Sequence, residues 1–406
     1  MAFSGPLAGT RVLDLAGPSG LYCTKLLADL GADVIKAEQP DGDPTRRRGP
    51  FLHEDPAEGN SLYFYHYNTN KRSITLDIEP PDGRALLRRL TGAADVLVET
   101  FDPGYLDGLG LGYQSLKADN PRLVFCSITP FGQTGPYRDY KGSDLVAQAM
   151  GGVLYLCGWP DRPPVNMGGS QAYHQAGAQA AVGVLLALNG REVTGSGQHV
   201  DVSIQECLPM CLLVRLPTYL ITGEYEHRGG DSHRSPMFGV FPCRDGYVDI
   251  RFNPRRDRWG RALAWINAAG MAGDLVEDRY DDFEYRARPE VARHIDEFFR
   301  AFFLTLTKED LMDQAQRHGL VVGAVYRGED IVRDPQLQAR EFFVPLHHPD
   351  PDETIIYPGA PYRLSQTPWQ LRSPAPALGQ DNLIVYQQEL GLSTEEMVAL
   401  KQGGVI

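Results

Sequence analysis

An α/β fold follows from three features of the sequence. Short β-branched runs recur through the first half of the chain, helical stretches separate them, and 406 residues exceed what one hydrophobic core usually serves. Strands that alternate with helices imply a parallel sheet with right-handed crossovers, hence a Rossmann-like large domain. In order, the reading gives strand Arg11–Leu15, a helix near Cys23–Leu30, strands Asp33–Glu38 and Ser73–Leu76, a helix around Gly83–Leu90, and strands Asp95–Glu99 and Leu123–Ile128.

After Pro160 the chain becomes helical and rich in small residues (Ala172, Ala176, Gly177, Ala180, Ala181, Gly183), which lets helix backbones approach closely. Gly195-Ser196-Gly197-Gln198 then breaks the helix before a strand at His199–Ile204. From about Ile221 the character shifts to a polar loop (Glu224 to Arg234), a strand at Tyr247–Phe252 and amphipathic helices near Arg255–Ile266, Pro289–Phe303 and Lys308–His318. These features divide the chain into a large domain (1–220), a smaller α+β domain (221–330) and a C-terminal segment (331–406). That segment is proline-rich and irregular beyond Asp334, and it closes on a helix at Thr394–Gln402 with Ser393 as N-cap and Glu396 three residues on.

Composition removes several functions. A net charge of -13 argues against coating nucleic acid or an anionic membrane, since those surfaces demand excess Lys and Arg. No apolar run approaches the roughly 18 residues of a membrane span, and Met-Ala-Phe-Ser-Gly-Pro has no basic region followed by an apolar one, so a cytoplasmic location is expected. Six scattered cysteines suit reduced core thiols; Cys207 and Cys211 would share a helix face, but no ligand-spaced His or Cys accompanies them and no metal is expected. The turn Ala16-Gly17-Pro18-Ser19-Gly20 lacks the G-x-G-x-x-G spacing of a dinucleotide site.

Eight phrases in order carry a family resemblance: Leu7-x-Gly9-x-Arg11-Val12-Leu13-Asp14-Leu15, the run Leu26 to Glu38, Asn70-Lys71-Arg72-Ser73-Ile74-x-Leu76-Asp77, Gly110-Leu111-Gly112-Tyr113, Asn120-Pro121-Arg122-Leu123-Val124, Phe131-Gly132-Gln133-x-Gly135-Pro136, Thr194-Gly195-x-Gly197-Gln198-x-Val200-Asp201-Val202-Ser203 and Phe241-x-Cys243-x-Asp245-Gly246. The chain resembles the family III CoA-transferases (the CaiB/BaiF family) along nearly its whole length. That resemblance implies two chains threaded as interlocked rings, a coenzyme A thioester as substrate, and no permanently bound cofactor. It also implies a carboxylate nucleophile that attacks the thioester, forms a mixed anhydride, and then an enzyme-bound thioester from which CoA passes to the acceptor acid.

At the nucleophile position stands Tyr173. An aspartate, with a pKa of about 3.9, is ionised at neutral pH; an unperturbed tyrosine, at about 10, is roughly 0.1% phenolate at pH 7. His174 is the nearest alternative base, and no Asp or Glu lies between Asp161 and Glu192 to supply a carboxylate by a shift of register. Other positions that contact CoA in catalytic relatives have changed too, to Pro18, Gln39, Glu79, Thr100 and Gly108; Leu76, Phe101 and Lys141 keep matching character. Arg46, Arg47 and Arg48 are either a phosphate grip or a solvated basic loop. A racemase of the same superfamily is disfavoured because Ser143 and Tyr173 stand where its His and Asp belong. The expectation is therefore a non-catalytic subunit that pairs with an aspartate-bearing paralogue in a heteromeric CoA-transferase moving CoA from an acyl-CoA such as succinyl-CoA to an acid such as benzylsuccinate. Two alternatives stand beside it, an active homodimer with a non-aspartate nucleophile and an acyl-CoA-binding or assembly protein.

Overall fold

The computed structural model describes residues 5–56, 60–212, 215–225, 227–230, 236–252 and 256–406; Arg255 and much of the expected polar loop from Glu224 to Arg234 lie outside the described residues. Two compact units emerge. The first comprises 1–155, 165–226 and 339–406, and the second 156–164 and 227–338.

The first unit is built on six parallel strands, β1 (Arg11–Leu15), β2 (Asp33–Glu38), β3 (Lys71–Thr75), β4 (Val96–Glu99), β5 (Val124–Thr129) and β6 (His199–Ser203), in the order β3-β2-β1-β4-β5-β6. This is the doubly-wound order, with its switch point between β1 and β4, where such folds form their crevice beyond the carboxyl ends of the strands. All four residues of β4 and all six of β5 are buried, as a sheet covered on both faces requires. The helices of this unit begin with α1 (Leu21–Asp29), α2 (Leu62–Asn68), α3 (Pro81–Gly92), α4 (Tyr105–Gly108), α5 (Tyr113–Asp119), α6 (Asp144–Met150), α7 (Val153–Leu156) and α8 (Gln171–Thr194). The small residues of α8 do what the sequence reading asked of them. A Cβ on Gly177 would come within 2.9 Å of the Tyr22 side chain and 3.0 Å of the Cys23 amide, so α8 lies directly on α1.

The C-terminal segment packs along β3. Asp77 donates its N–H to Val405 O at 2.8 Å, Tyr386 OH donates to Thr75 O at 2.7 Å, and Val405 and Ile406 join the core with Leu76 and Ile78. Within this stretch, expected to be irregular, the structure holds an antiparallel hairpin, β10 (Phe343–His348) with β11 (Glu353–Pro358). Pro345 and Pro358 masked it, since proline in a run argues against a strand. The closing helix Thr394–Gln402 has the expected capping box of Ser393 and Glu396.

In the second unit β7 (Phe238–Cys243), β8 (Gly246–Arg251) and β9 (Val322–Ala324) form an antiparallel sheet. Helix Pro289–Phe303 lines its apolar face with Val291, Ile295, Phe299, Phe302 and Phe303, all buried, and Trp265 meets Phe302 edge-on at 5.0 Å. The sequence reading found only β8; three residues of β9 are too few to show a period. The expectation that Cys207 and Cys211 share a buried helix face is corrected: the helix ends at Cys207 before Pro209, and Cys211 is exposed. None of the six cysteines forms a disulfide, and among the described residues no group of three or more His, Cys, Asp or Glu is placed to hold a metal.

Beneath the sheet runs a set of buried charges. Lys71 Nζ on β3 donates to Asp14 Oδ2 on β1, Thr24 Oγ1 on α1 and Asn68 Oδ1 on α2 at 2.8, 2.8 and 2.9 Å, with both charged side chains fully buried. Lys36 on β2 pairs with Asp43 at 2.8 Å and donates to Ala16 O at 3.1 Å. Glu38 takes a two-pronged contact from Arg46 at 2.6 and 2.8 Å and a hydrogen bond from Ser73 Oγ at 2.7 Å. Burial pushes the Asp14 carboxyl up, but the ammonium groups of Lys71 and Lys36 outweigh it and hold it below the usual range. Asp43 behaves likewise, held down by Lys36 and Thr45 against its burial.

Lys71→Met leaves the Asp14 carboxylate unpaired in the interior and is expected to lower unfolding free energy by about 3–5 kcal/mol in urea denaturation; a loss under about 1 kcal/mol would show the pair to be dispensable. Because Asp14 and Asp43 have depressed values in the folded state, the stability they contribute is complete above about pH 4 and drains as pH falls through their folded values. Denaturation midpoints measured from pH 7 downward should therefore fall most steeply below about pH 4.

Candidate active site

Helix α8 starts without a cap of its own. Ser170 at its N-cap has a φ of 54° and makes no side-chain cap bond. Asp144 supplies the cap from α6: its Oδ1 accepts the N–H groups of Ala172 and Tyr173 at 2.9 and 3.2 Å, and its Oδ2 accepts Gln148 Nε2 at 2.7 Å. Ser143 caps α6 in turn, accepting the Val146 N–H at 3.3 Å. A carboxylate at a helix N-terminus satisfies orphan donors and meets the positive end of the dipole.

Tyr173 therefore lies in the first turn of α8, half-buried. Burial raises its phenol pKa; a hydrogen bond from the Asp144 backbone lowers it, the Asp144 carboxylate raises it and Arg48 lowers it, and the net direction is upward. The phenolate is thus scarcer than the roughly 0.1% of a free tyrosine at neutral pH.

His174 is held on both sides. Its Nδ1 lies 3.2 Å from Ser170 O and its Nε2 2.9 Å from Tyr67 OH, while Tyr22 packs edge-on to the ring at 4.8 Å. Nδ1 can only donate to the Ser170 carbonyl, and Nε2 is taken up by the Tyr67 hydroxyl, so both ring nitrogens are engaged. Tyr67 also meets Tyr63 on α2 at 4.7 Å, and the Arg48 guanidinium lies over the Tyr63 ring at 4.2 Å.

The three arginines part company. Arg46 is buried against Glu38 and neither grips a ligand nor sits in a solvated loop, which corrects both readings of that residue. Arg47 is exposed beside Asp41 at 3.6 Å. Arg48 has no acidic partner among the described residues and shares with Asp144 an electrostatic influence on both Tyr63 and Tyr173.

The matching CoA positions gather beyond the ends of β3 and β4. Phe101 is half-buried, its ring tilted against Tyr105 at 4.8 Å, with its N–H on Glu99 Oε2 at 2.7 Å. Tyr105 OH in turn donates to Glu79. Lys141 is exposed and pairs with Asp102 at 2.5 Å. Leu76 is 3% exposed and belongs to the core, with its N–H donated to Glu38 O at 2.6 Å. Thr100 Oγ1 accepts the Gly17 N–H at 2.8 Å, and a Cβ on Gly20 would come within 2.8 Å of the Thr100 methyl, which is why glycine stands there. This rim sets one exposed lysine, already paired, against Glu79 and Asp102. A ligand as anionic as CoA finds no surplus of positive charge on it.

Sequence reasoning noted Asp144 only as a residue of the type a racemase of the superfamily carries beside Ser143, and did not read it as the cap of α8. That cap spans 28 positions, and no local pattern announces it. Tyr63 and Tyr67, by contrast, stand four apart on one helix, a spacing that pairs aromatic rings on a single face and was there to be read. Asp144→Ala removes the cap of a 24-residue helix and is expected to cost about 1–2 kcal/mol of stability by urea denaturation.

CoA-transferase family III matches residues 7–382 of the chain. The succinyl-CoA:(R)-benzylsuccinate CoA-transferase subunit BbsE of Thauera aromatica is 38% identical over 374 residues, covering 91% of each chain. The succinyl-CoA–D-citramalate CoA-transferase of Chloroflexus aurantiacus is 35% identical over 99% of this chain and 98% of its own. Among solved structures, a CaiB/BaiF family protein from Brucella suis superposes with a TM-score of 0.84 at 33% identity, covering 95% of this chain and 99% of that one. Sheet order, motif phrases and near-complete coverage agree, and the chain belongs to the family III CoA-transferases.

Proposed function

We propose that this chain is the non-catalytic subunit of a heteromeric CoA-transferase, interlocked with an aspartate-bearing paralogue that supplies the nucleophile. The observation that carries the reading is the occupancy of the nucleophile position by Tyr173, whose proton is held more tightly than that of a free phenol. A covalent acyl carrier must be ionised to attack and must leave readily afterwards. His174 offers no lone pair free of a partner, and both oxygens of Asp144 are already hydrogen-bonded.

The similarity to the BbsE subunit supports a reaction that moves CoA from succinyl-CoA to a dicarboxylic acid such as benzylsuccinate. The partner subunit would provide the cationic CoA cradle that Pro18, Glu79, Thr100 and Gly108 do not. Lys141 and Phe101 are the contacts this chain would retain for the thioester, Leu76 being buried in the core.

One observation favours a second reading, an active homodimer. Asp144 is a carboxylate within hydrogen-bond distance of the Tyr173 amide. In that case hydroxylamine would trap an acylated Asp144 peptide from the purified chain.

The chain purified alone is expected to show no transfer of CoA from succinyl-CoA to benzylsuccinate, and to gain activity on mixing or co-expression with an aspartate-bearing paralogue. Within the active complex Tyr173→Phe is expected to leave kcat within about twofold of wild type, since a bystander phenol contributes nothing to the barrier. Robust turnover by the homodimer, or a drop of a hundredfold or more in Tyr173→Phe, would overturn the proposal.

A further inference from the structure

A cavity of about 310 Å³ opens on the face of β4, β5 and β6 that α4 and α5 cover, away from Tyr173. It lies at the small end of ligand sites and holds the space of about ten waters. One wall is aromatic. Tyr113 and Phe125 stand 6.0 Å apart, and His199 meets them at 5.4 and 5.2 Å.

The polar lining is uneven. Gln133 Nε2 and Arg138 Nε are buried with no hydrogen-bond partner among the described residues, and both side chains line the cavity. An unpaired buried donor costs on the order of 1–3 kcal/mol, so Gln133 Nε2 needs an acceptor, while the Arg138 guanidinium, 41% exposed, has only Asp139 Oδ1 at 3.8 Å from its Nε. Their loop is fixed from outside the cavity: the Gln133 N–H donates to both Asp201 oxygens at 3.1 and 3.0 Å. Across from them Ser127 Oγ and His199 Nε2 lie 2.9 Å apart, and Ser127 also bonds to the buried Glu99. A guanidinium beside an amide N–H₂ matches a carboxylate, and a hydroxyl linked to an imidazole and a carboxyl group can both give and accept a hydrogen bond.

We propose that this cavity is a binding site for a small 2-hydroxy acid, its carboxylate against Arg138 and Gln133 and its hydroxyl against the Ser127–His199 pair. The aromatic wall takes the short apolar remainder of the ligand. Asp102 and Asp107 at the lining exclude a second negative charge, so a monocarboxylate fits and a dicarboxylate does not. The site adjoins the transfer rim, sharing Asp102, which pairs with Lys141, and Glu99, which holds the Phe101 amide.

Lactate is the probe. Titrated into the purified full chain by calorimetry, it is expected to bind saturably at millimolar concentration, while propanoate, which lacks the hydroxyl, and malate, with a second carboxylate, bind at least about tenfold more weakly. Arg138→Ala should weaken lactate roughly tenfold to a hundredfold, and Gln133→Leu, of similar size, by about tenfold. Arg122→Ala, which removes an exposed pair with Glu192, should leave lactate binding unchanged. Absence of saturable binding to the wild-type chain, or binding undiminished in both cavity variants, overturns the proposal and leaves the cavity to water. Neither result depends on transferase activity.

Discussion

Everything in the first unit is arranged around charges that have no access to water. Asp14, Lys36, Glu38, Arg46 and Lys71 come from three adjacent strands and the segment after β2, and each is at most 6% exposed. A buried ion pair gains little over well-packed apolar side chains, yet losing one partner is expensive. The consequence is geometric. A slip of one residue in β1, β2 or β3 would turn these side chains to the opposite face and strand each of them, so the pairing Asp14 to Lys36 and Lys36 to Ser73 is held against every alternative.

That constraint reaches the site by short routes. Lys36 holds Ala16 O, which fixes the turn leading into Gly17 and Gly20 and therefore the seat of Thr100. Glu38 anchors Arg46, and two residues on Arg48 comes to rest over Tyr63. Arg46 also donates to Pro376 O, and the backbone of Ser73 is bound by Asp381, so the returning C-terminal segment is tied into the same charges. A disturbance of the strands would thus move the rim, the aromatic cluster and the C-terminal segment together.

The sequence disclosed the elements better than the joints between them. The strand runs stood out because a doubly covered parallel sheet demands continuous apolar residues, and the closing helix because Ser393 and Glu396 form a two-way cap. The hairpin at 343–358 was hidden by its prolines, and β9 by its brevity. Arg46 was misread since burial depends on a partner eight positions back, and an arginine triplet in isolation reads as solvent-exposed. The capping role of Asp144 was hidden for the same reason on a larger scale. Propensity and periodicity are local, whereas caps and ion pairs between elements are decided by tertiary contact.

The position of Tyr173 shows how the side chain at this helix end can vary while the fold stays. The N-terminus of α8 is satisfied by Asp144 acting on the amides of residues 172 and 173, and amides are present whatever the side chain. The side chain at 173 carries no part of the buried charge network and no hydrogen bond that the helix needs. An aspartate there would share the first turn with the Asp144 carboxylate, and two like charges at one helix end disfavour each other's ionised form. A tyrosine relieves that repulsion and fills the space with a half-buried ring. The side chain at 173 is therefore separable from folding: changing it spares the architecture, whereas replacing Asp14 or Lys71 would not.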